Sequence, residues 1–501
     1  MTNTGTKRIN ALDGSPVEFV VNSDAPSGAM KVVYFSPKKD YVVAFYKNKQ
    51  NAQQRARLES ITGEYRHDIF DQIGGDYWKQ LFCWPENLVE WDGKLGIVVP
   101  TFPQNFFFKK DSKRIGLEKE GKWFASARLL RAVAEEERGN FLNYLRISLK
   151  LSQAVRRMHA AGLAHSDLSY KNVLIDPIEG KVCIINILDE LVIPGYPLEI
   201  LGTPDFIAPE VITTQSLPRE KRVFPSPTTD RHALAVLIYM YLLHRHPLRG
   251  GRFFGSDVDN EELLLMGSQP LYIEHPTDRS NRNMKREYGQ DNYSQYLPWV
   301  DLDHFSAQKI CGPFLASLFE RAFIDGLENP THRPLADEWE RAIIKTMDRL
   351  QPCSNPSCPG KWYVFDGSKR PRCPFCGTEY KGLLPKLEFY SCRPGSTSFS
   401  SEDYQLMVFN GQSLNKWHVT NKVFPNEMLS PADKVRQAYF QQYNGRWLLV
   451  NEKLPTLFEI LPDGTKVPKK PGEYIELNDG TKMLLSTEDG GRLVLVQLAG
   501  R

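Results

Sequence analysis

The chain lacks any apolar run long enough to cross a bilayer, and it lacks a strong excess of charge of either sign. Its longest apolar run, residues 233–243, is far shorter than the roughly 20 residues that a membrane-spanning helix needs. Residues 1–4 contain no apolar signal segment. The 63 Lys and Arg residues nearly balance the 60 Asp and Glu residues, which leaves a formal net charge of +3. We therefore expect a cytoplasmic protein with neither nucleic acid nor a membrane among its partners.

Cysteine is also scarce, and it is unevenly placed. The eight cysteines are too few for a disulfide scaffold, and four of them lie close together: Cys353, Cys358, Cys373 and Cys376. Their spacing, Cys-x4-Cys followed after fourteen residues by Cys-x2-Cys, is typical of two zinc knuckles around a short hairpin. We predict a structural Zn²⁺ site, in which four thiolates leave no open position for catalysis. Four buried free cysteines are the alternative.

The remaining composition is that of a folded protein with several domains. Apolar residues make up 41% of the chain and charged residues 25%, and the length of 501 residues suggests two to four domains. The residue patterns predict an α+β protein. We expect a β-rich lobe over 1–102, a helical lobe over 103–350, a four-cysteine segment over 351–381 and an all-β domain over 382–501.

The most informative segment is residues 165–172, with the sequence His-Ser-Asp-Leu-Ser-Tyr-Lys-Asn. It fits the catalytic-loop pattern H-R-D-L-x-x-x-N everywhere except the Arg, so that the chain resembles a eukaryotic-like Ser/Thr protein kinase. Phosphoryl transfer needs an acid–base residue beside a metal ligand. We expect Asp167 to orient the substrate hydroxyl, Asn172 to bind Mg²⁺ or Mn²⁺, and Lys171 to approach the transferring phosphate of ATP. A helix–turn–strand junction with an Asx cap is the alternative.

Further motifs follow in the order found in kinases. Residues 202–210, Gly-Thr-Pro-Asp-Phe-Ile-Ala-Pro-Glu, resemble the end of an activation segment. The resemblance implies a bilobal kinase fold, in which Glu210 pairs with Arg333 in a structural role. It also implies that Asp230 holds the backbone of the catalytic loop.

The lysine of the nucleotide site is less regular. Strand alternation over residues 42–47 predicts that Val43, Phe45 and Lys47 share one face. Phe45 then stands where kinases usually have Ala, and we expect it to crowd the adenine. Lys47 is expected to contact the α and β phosphates, although a solvated surface lysine is the alternative.

Three further residues complete the predicted nucleotide site. Glu59 is the helix glutamate expected to order the phosphate-binding lysine, with Glu64 as second choice. Gly28 is the single match to a glycine-rich phosphate loop, and Val99 is assigned to the nucleotide pocket.

One departure bears directly on activity. Where kinases place Asp-Phe-Gly, this chain has Asn186-Ile187-Leu188, so a neutral amide stands where a Mg²⁺-binding carboxylate is expected. An amide oxygen can bind Mg²⁺ but cannot offset its charge. Three explanations stay open: a natural pseudokinase, an active variant in which Asp189 substitutes, or a deliberate Asp-to-Asn change.

The tail and the order of the parts carry a closer resemblance. Residues 447–450 and 478–481 resemble the later strands of forkhead-associated domains. Residues 75–78, 273–279 and 373–377 resemble the kinase component of the bacterial, tellurite-resistance-associated TerY phosphorylation triad. This resemblance implies a bacterial stress-related Ser/Thr kinase that acts with a von Willebrand factor A-type protein and a metal-dependent protein phosphatase.

Two functions from different classes therefore compete. The first is a protein Ser/Thr kinase that uses ATP, Mg²⁺ or Mn²⁺, and structural Zn²⁺. The second is a pseudokinase scaffold that binds Mg-ATP weakly or not at all, because Asn186 replaces the metal-binding Asp. Phe45 and the glycine-poor loop also favour it, whereas Lys47, Asp167 and Asn172 oppose it. A small-molecule kinase is disfavoured by residues 202–210, which in protein kinases support peptide substrates.

Overall fold

The computed structural model describes residues 5–27, 30–71, 74–196, 198, 202–255, 257–282, 302–393, 396 and 398–500. The chain divides into two compact units. The first comprises Met1–Gly139, Arg146–Val300 and Leu318–Glu340, and the second comprises Asn140–Leu145, Asp301–Ser317 and Arg341–Arg501. The second unit thus contains the four-cysteine segment, the β-rich tail and two short stretches of the helical region.

The first unit begins with a β-rich lobe. Its strands are β1 (Gly5–Asn10), β2 (Pro16–Val21), β3 (Lys31–Phe35), β4 (Tyr41–Tyr46), β5 (Asn87–Trp91) and β6 (Lys94–Pro100). Strands β1 and β2 form a hairpin, and the others form an antiparallel sheet in the order β3-β4-β6-β5. Between β4 and β5 lie the helices α1 (Ala52–Thr62), α2 (Glu64–Phe70) and α3 (Gly75–Trp78).

Local signals account for helix α1. Asn51 caps it, because its side chain accepts from the Gln54 backbone N–H at 2.8 Å while the Gln54 side chain accepts from the Asn51 N–H at 3.0 Å. The helical spacing of Leu58, Ile61 and Tyr65 predicts one helix over residues 52–65, whereas the structure breaks it at Gly63. The residue Gly63 has φ −105° and ψ −97°, which is not helical, and this accounts for the break.

The orientation of β4 differs from the prediction, which placed Phe45 on the face that borders the nucleotide. Val43 and Phe45 pack with Phe19 of β2 in a buried cluster, in which the Phe45 ring lies 5.3 Å from that of Phe19. Tyr46 points to the opposite face and packs with Leu58 of α1. The prediction that Phe45 crowds the adenine is therefore wrong, because the aromatic cluster with Phe19 holds its ring on the other side of the sheet.

The helical region follows. Its helices are α4 (Ala127–Ala132), α5 (Phe141–Ala160), α6 (Ile187–Glu190), α7 (Pro209–Thr214), α8 (Pro227–Leu243), α9 (Val258–Glu262), α10 (Ala307–Glu320), α11 (Gly326–Glu328) and α12 (Ala336–Met347). Its short strands are β7 (Ala164–His165), β8 (Val173–Asp176), β9 (Lys181–Ile184) and β10 (Leu191–Val192). Helix α8 is buried from residue 232 to residue 243, as its apolar sequence predicts. The residue pattern predicts an amphipathic helix over residues 331–350. Helix α12 begins only at Ala336, because Arg333 precedes a proline and is extended.

The second unit is mostly β. A hairpin of β11 (Leu350–Pro352) and β12 (Trp362–Val364) accompanies the four cysteines. The tail contains β13 (Leu384–Cys392), β14 (Phe399–Met407), β15 (Ser413–Leu414), α13 (Lys416–Val419), β16 (Ala438–Tyr443), β17 (Arg446–Asn451), β18 (Leu457–Ile460), β19 (Lys466–Lys469), β20 (Tyr474–Glu476), β21 (Lys482–Leu484) and β22 (Leu493–Ala499). One sheet has the order β14-β13-β22-β21-β18-β19 and the other β15-β16-β17-β20, and side chains of both sheets share one core. In the part of the chain that is described, no helix is both long enough and apolar enough to span a membrane.

Candidate active site

A buried aspartate fixes the start of the 165–172 loop. Helix α5 ends at Ala160, and Gly162 turns the chain with φ +72° into β7. The backbone N–H of His165 donates to Asp230 Oδ2 at 3.0 Å, and His159 Nε2 lies 3.1 Å from the same oxygen. The predicted contact between Asp230 and the loop backbone is therefore present.

Three of the predicted site residues lie together. The Asn172 side-chain amide donates to Asp167 Oδ2 at 2.9 Å and to the Asp167 carbonyl at 2.8 Å. Asn186 Nδ2 donates to Asn172 Oδ1 at 2.6 Å. Asn186 has φ +59°, a left-handed conformation that Asn tolerates better than most residues, and it directly precedes α6. One carboxylate and two amides thus converge, although they are separated by up to 19 positions in the sequence.

The Asp167 carboxylate is also oriented by the segment after residue 201. The Thr203 N–H donates to Asp167 Oδ1 at 2.7 Å, and the Thr203 hydroxyl donates to Asp167 Oδ2 at 3.1 Å. Ser169 is fully buried, and its hydroxyl oxygen lies 3.2 Å from that of Thr203, to which it can donate. Gly202 allows this approach, since a Cβ there would lie 3.0 Å from the Ser166 carbonyl oxygen and the residue has φ +83°. The carboxylate is held from both sides.

Glu190, which the sequence analysis did not single out, is a fourth member of this cluster. Its Oε2 accepts from Asn172 Nδ2 at 2.8 Å and lies 3.7 Å from His165 Nδ1. Burial, together with the negative charges of Asp167 and Asp189, raises the pKa of Glu190 to about 8. Asp189, the substitute that we considered for the missing carboxylate, binds Lys31 Nζ at 2.7 Å instead. The second carboxylate beside Asn172 is therefore Glu190.

The predicted lysines do not lie among these buried groups. Lys47 is one residue beyond the end of β4, and Lys171 follows the buried Ser169; both are exposed. Glu59 is also largely exposed and pairs with Arg55 at 2.9 Å, one turn earlier in α1. Gly28 lies outside the described residues.

Val99 lies where two apolar clusters meet. It packs against one cluster that contains Tyr46 and Leu188, and against another that contains Leu174 and Ile185. Leu174 follows Asn172 in the chain and Ile185 precedes Asn186, so the second cluster borders the polar site. Apolar side chains beside a few convergent polar groups are what a nucleotide base requires.

The predicted ion pair between Glu210 and Arg333 is present. The Arg333 guanidinium donates to both carboxylate oxygens of Glu210 at 2.7 Å, and it also donates to the Gly326 carbonyl at 2.9 Å. The Arg333 side chain is fully buried. The bidentate geometry and the carbonyl contact compensate the burial of this charge.

The four clustered cysteines of the second unit are close enough to share an ion. Their sulfur atoms lie within 4.8 Å of one another, with Cys353 and Cys376 3.5 Å apart and Cys358 and Cys373 3.6 Å apart. A tetrahedral site with Zn–S bonds of about 2.3 Å has S···S edges of roughly 3.8 Å. Gly377, with φ +72°, makes the turn after the last cysteine. The donor set and its size therefore fit Zn²⁺.

Comparisons with known proteins give this geometry a family. Residues 127–290 match the family model of the protein kinase domain. This part of the chain is a protein kinase domain. Similar proteins include the death-associated protein kinase dapk-1 of Caenorhabditis elegans, 32% identical over 30% of this chain and 9% of the relative. They also include a probable serine/threonine-protein kinase, CCRP1, of Zea mays, 32% identical over 26% of this chain and 19% of the relative.

A third relative of the kinase domain is the protein kinase C-like 2 of Schizosaccharomyces pombe, which is 29% identical over 24% of this chain and 11% of the relative. The chain thus spans less than a fifth of the length of each of these three relatives. The match of the kinase domain to the family model begins at residue 127, after the strands of the β-rich lobe.

Sequence reasoning missed Lys31, Ser169 and Glu190. Ser169 lies inside the motif, where its position two residues after Asp167 could have drawn attention to it. Glu190 gives no such signal, because its approach to Asn172 depends on the left-handed turn at Asn186. Lys31 could have been found from the strand pairing alone, since it is the direct partner of Tyr46.

Proposed function

We propose that the chain is a protein Ser/Thr kinase, which transfers the γ-phosphoryl group of ATP to a hydroxyl group of a partner protein. The single observation that carries the proposal is the Asp167 carboxylate, which accepts hydrogen bonds from both Thr203 and Asn172. A carboxylate held in this way can accept the hydroxyl proton of the substrate as the phosphate bond forms. The exposed Lys171 would approach the transferring phosphate from the solvent side.

The metal ligands in this proposal are oxygen atoms, as Mg²⁺ and Mn²⁺ prefer. Asn172 and Asn186 offer amide oxygens. Glu190, whose pKa is raised to about 8, would lose its proton on metal binding and so offer the carboxylate that Asn186 lacks. When bound, the metal neutralises charge on the phosphates of ATP. Val99 would border the adenine, and either Lys47, ordered by Glu59, or another lysine would contact the phosphates. Gly28 would belong to the loop over the phosphates.

The proposal is tested by transfer of label from [γ-³²P]ATP to dephosphorylated casein, with Mg²⁺ or Mn²⁺. We expect Asp167→Ala to lower transfer by about 10²–10⁴-fold, because the acid–base group is lost. Asn186→Asp should raise transfer about tenfold, because a second carboxylate offsets the metal charge. Phosphoamino-acid analysis should show phosphoserine or phosphothreonine.

The pseudokinase scaffold remains the second candidate, because Asn186 is neutral. Such a scaffold would bind Mg-ATP weakly or not at all, and it would be supported by an absence of transfer in both the unchanged protein and Asn186→Asp when circular dichroism shows both to be folded. Transfer that survives Asp167→Ala at the full rate would contradict the kinase proposal.

The structural metal of the second unit is proposed to be Zn²⁺, held by Cys353, Cys358, Cys373 and Cys376. We expect one zinc per chain by atomic spectroscopy. Cys373→Ala should lose the zinc and lower the unfolding temperature of this unit, since structural zinc contributes directly to folding free energy. The matched control is Cys392→Ala, which changes a cysteine outside the cluster and should retain the zinc. Full zinc content in Cys373→Ala would contradict the site.

The bacterial stress-related role is a further proposal, which the four-cysteine segment and the β-rich tail support by resemblance alone. In this proposal the chain, a cytoplasmic protein, phosphorylates or binds a von Willebrand factor A-type protein, and a metal-dependent phosphatase reverses the modification. Co-purification of the full chain with such a partner, retained in Asp167→Ala, would support it.

A further inference from the structure

Lys31 places a positive charge on the face of the sheet that borders the candidate active site. It is the first residue of β3 and the direct antiparallel partner of Tyr46 in β4, so the two side chains stand on the same face. The Lys31 ammonium lies 5.0 Å from the centre of the Tyr46 ring, and the Lys31 side chain is only 15% exposed. This lysine reaches inward, whereas Lys47 is exposed.

Tyr46 occupies the strand position that faces the site. It packs with Leu58 of α1 and with Leu188, which lies two residues after Asn186. A tyrosine there offers no positive charge to a phosphate. The cross-strand neighbour of Tyr46 is Lys31, which supplies a positive charge on this face of the sheet.

The Lys31 ammonium ends at the segment that contains Asn186 and Glu190. It donates to both carboxylate oxygens of Asp189, at 2.8 and 2.7 Å. Asp189 lies three residues after Asn186 and directly before Glu190, whose carboxylate accepts from Asn172 at 2.8 Å. Strand β3 thus carries its charge to the segment that would hold the metal.

Arg57 is a second cation near this segment, but its hydrogen bonds are already committed to the backbone. Its guanidinium donates to the carbonyl oxygens of Leu188 and Leu191, at 2.7 Å each. It therefore ties α1 to the 186–191 segment. Lys31, in contrast, is held by a carboxylate whose side chain is 48% exposed. Partly exposed ion pairs contribute little to stability, so a triphosphate with several negative charges can replace Asp189.

We propose that Lys31, rather than Lys47, binds the phosphates of Mg-ATP, and that it exchanges Asp189 for a phosphate oxygen when the nucleotide enters. The proposal rests on the kinase function stated above and changes its lysine. The aliphatic part of the Lys31 side chain then lies along the Tyr46 ring.

The direct test is an acyl-phosphate derivative of ATP applied to the full chain. A lysine amine beside the phosphates attacks the acyl carbonyl, the acyl–oxygen bond to phosphate breaks, ATP leaves, and the amine loses a proton as the amide forms. Peptide mapping by mass spectrometry should find Lys31 acylated, with protection by excess ATP. Protected acylation of Lys47 that equals or exceeds that of Lys31, or no protected acylation in a chain that binds ATP, would overturn the proposal.

Calorimetry distinguishes a role of Lys31 in phosphate binding from a purely structural role. Lys31→Ala should weaken Mg-ATP binding about tenfold or more while adenosine, which has no phosphates, binds within about twofold of the unchanged protein. Lys31→Arg should restore part of the loss, and Lys38→Ala, an exposed lysine in the β3–β4 turn, is the matched control. Equal weakening of ATP and adenosine by Lys31→Ala would overturn the proposal.

Failure of the kinase function itself looks different. In that case neither the unchanged protein nor Asn186→Asp would transfer label, whether or not they bind Mg-ATP. If the unchanged protein binds and transfers but Lys31→Ala behaves identically, the kinase function stands and only the assignment of Lys31 fails.

Discussion

The kinase domain at residues 127–290 and the β-rich lobe before it hold their charged groups in different ways. In the helical region, which includes this domain, the fully buried Arg333 pairs with Glu210 and also donates to a carbonyl, and Asp230 accepts from a backbone N–H. In the lobe, Arg55 pairs with Glu59 and Glu90, and all three side chains are 42–51% exposed. A side chain that bonds to backbone atoms can make those bonds from only one position in the chain, so such contacts tie a residue type to its place in the motif.

Contacts between side chains on one face of a sheet leave more freedom as to which residue supplies a charge. Lys31 and Tyr46 are cross-strand partners, so a charge required on that face can come from either strand without a change of fold. This explains why the motif residues of the catalytic loop converge as expected, while the lysine expected from the β4 sequence lies exposed. Substitutions in the helical region and in the β-rich lobe can test this difference.

The largest effect on stability is expected from the buried ion pair. Arg333→Ala leaves Glu210 without its partner and should lower the free energy of unfolding by about 3–5 kcal/mol. The matched change in the lobe is Arg55→Ala, which removes an exposed pair and should cost no more than about 1 kcal/mol. Urea denaturation followed by circular dichroism measures both. Equal losses would show that the two regions do not differ in this respect.

A smaller effect tests which face of β4 borders the nucleotide. Phe45→Leu should lower the free energy of unfolding by about 1–2 kcal/mol, because its ring contacts with Phe19 and Trp91 are lost. The affinity for Mg-ADP should stay within about twofold, since Phe45 faces away from the site. Phe35→Leu, at an exposed position of β3, is the control and should change stability by less than about 0.5 kcal/mol. An altered Mg-ADP affinity in Phe45→Leu, but not in Phe35→Leu, would show that Phe45 faces the nucleotide.

The sequence allowed the catalytic loop, the Glu210–Arg333 pair and the cysteine cluster to be predicted because each depends on short spacing or on a familiar motif. It also predicted the strand over residues 42–47, which the structure shows as β4. It did not predict the hairpin strand β1 or the faces of β4, because alternation fixes which residues share a face but not which face borders the site. Glu190 could not be predicted, since its place beside Asn172 depends on the left-handed turn at Asn186.

The most direct test of the account measures label transfer from [γ-³²P]ATP on an Asn186→Asp background, where the metal site carries its full charge. The account predicts transfer by the single variant and a loss of about 10²–10⁴-fold when Asp167→Asn is added, with Mg-ADP affinity retained. Equal transfer by the two proteins, or no transfer by either although both bind Mg-ADP, would contradict the assignment of Asp167 as the group that receives the substrate proton.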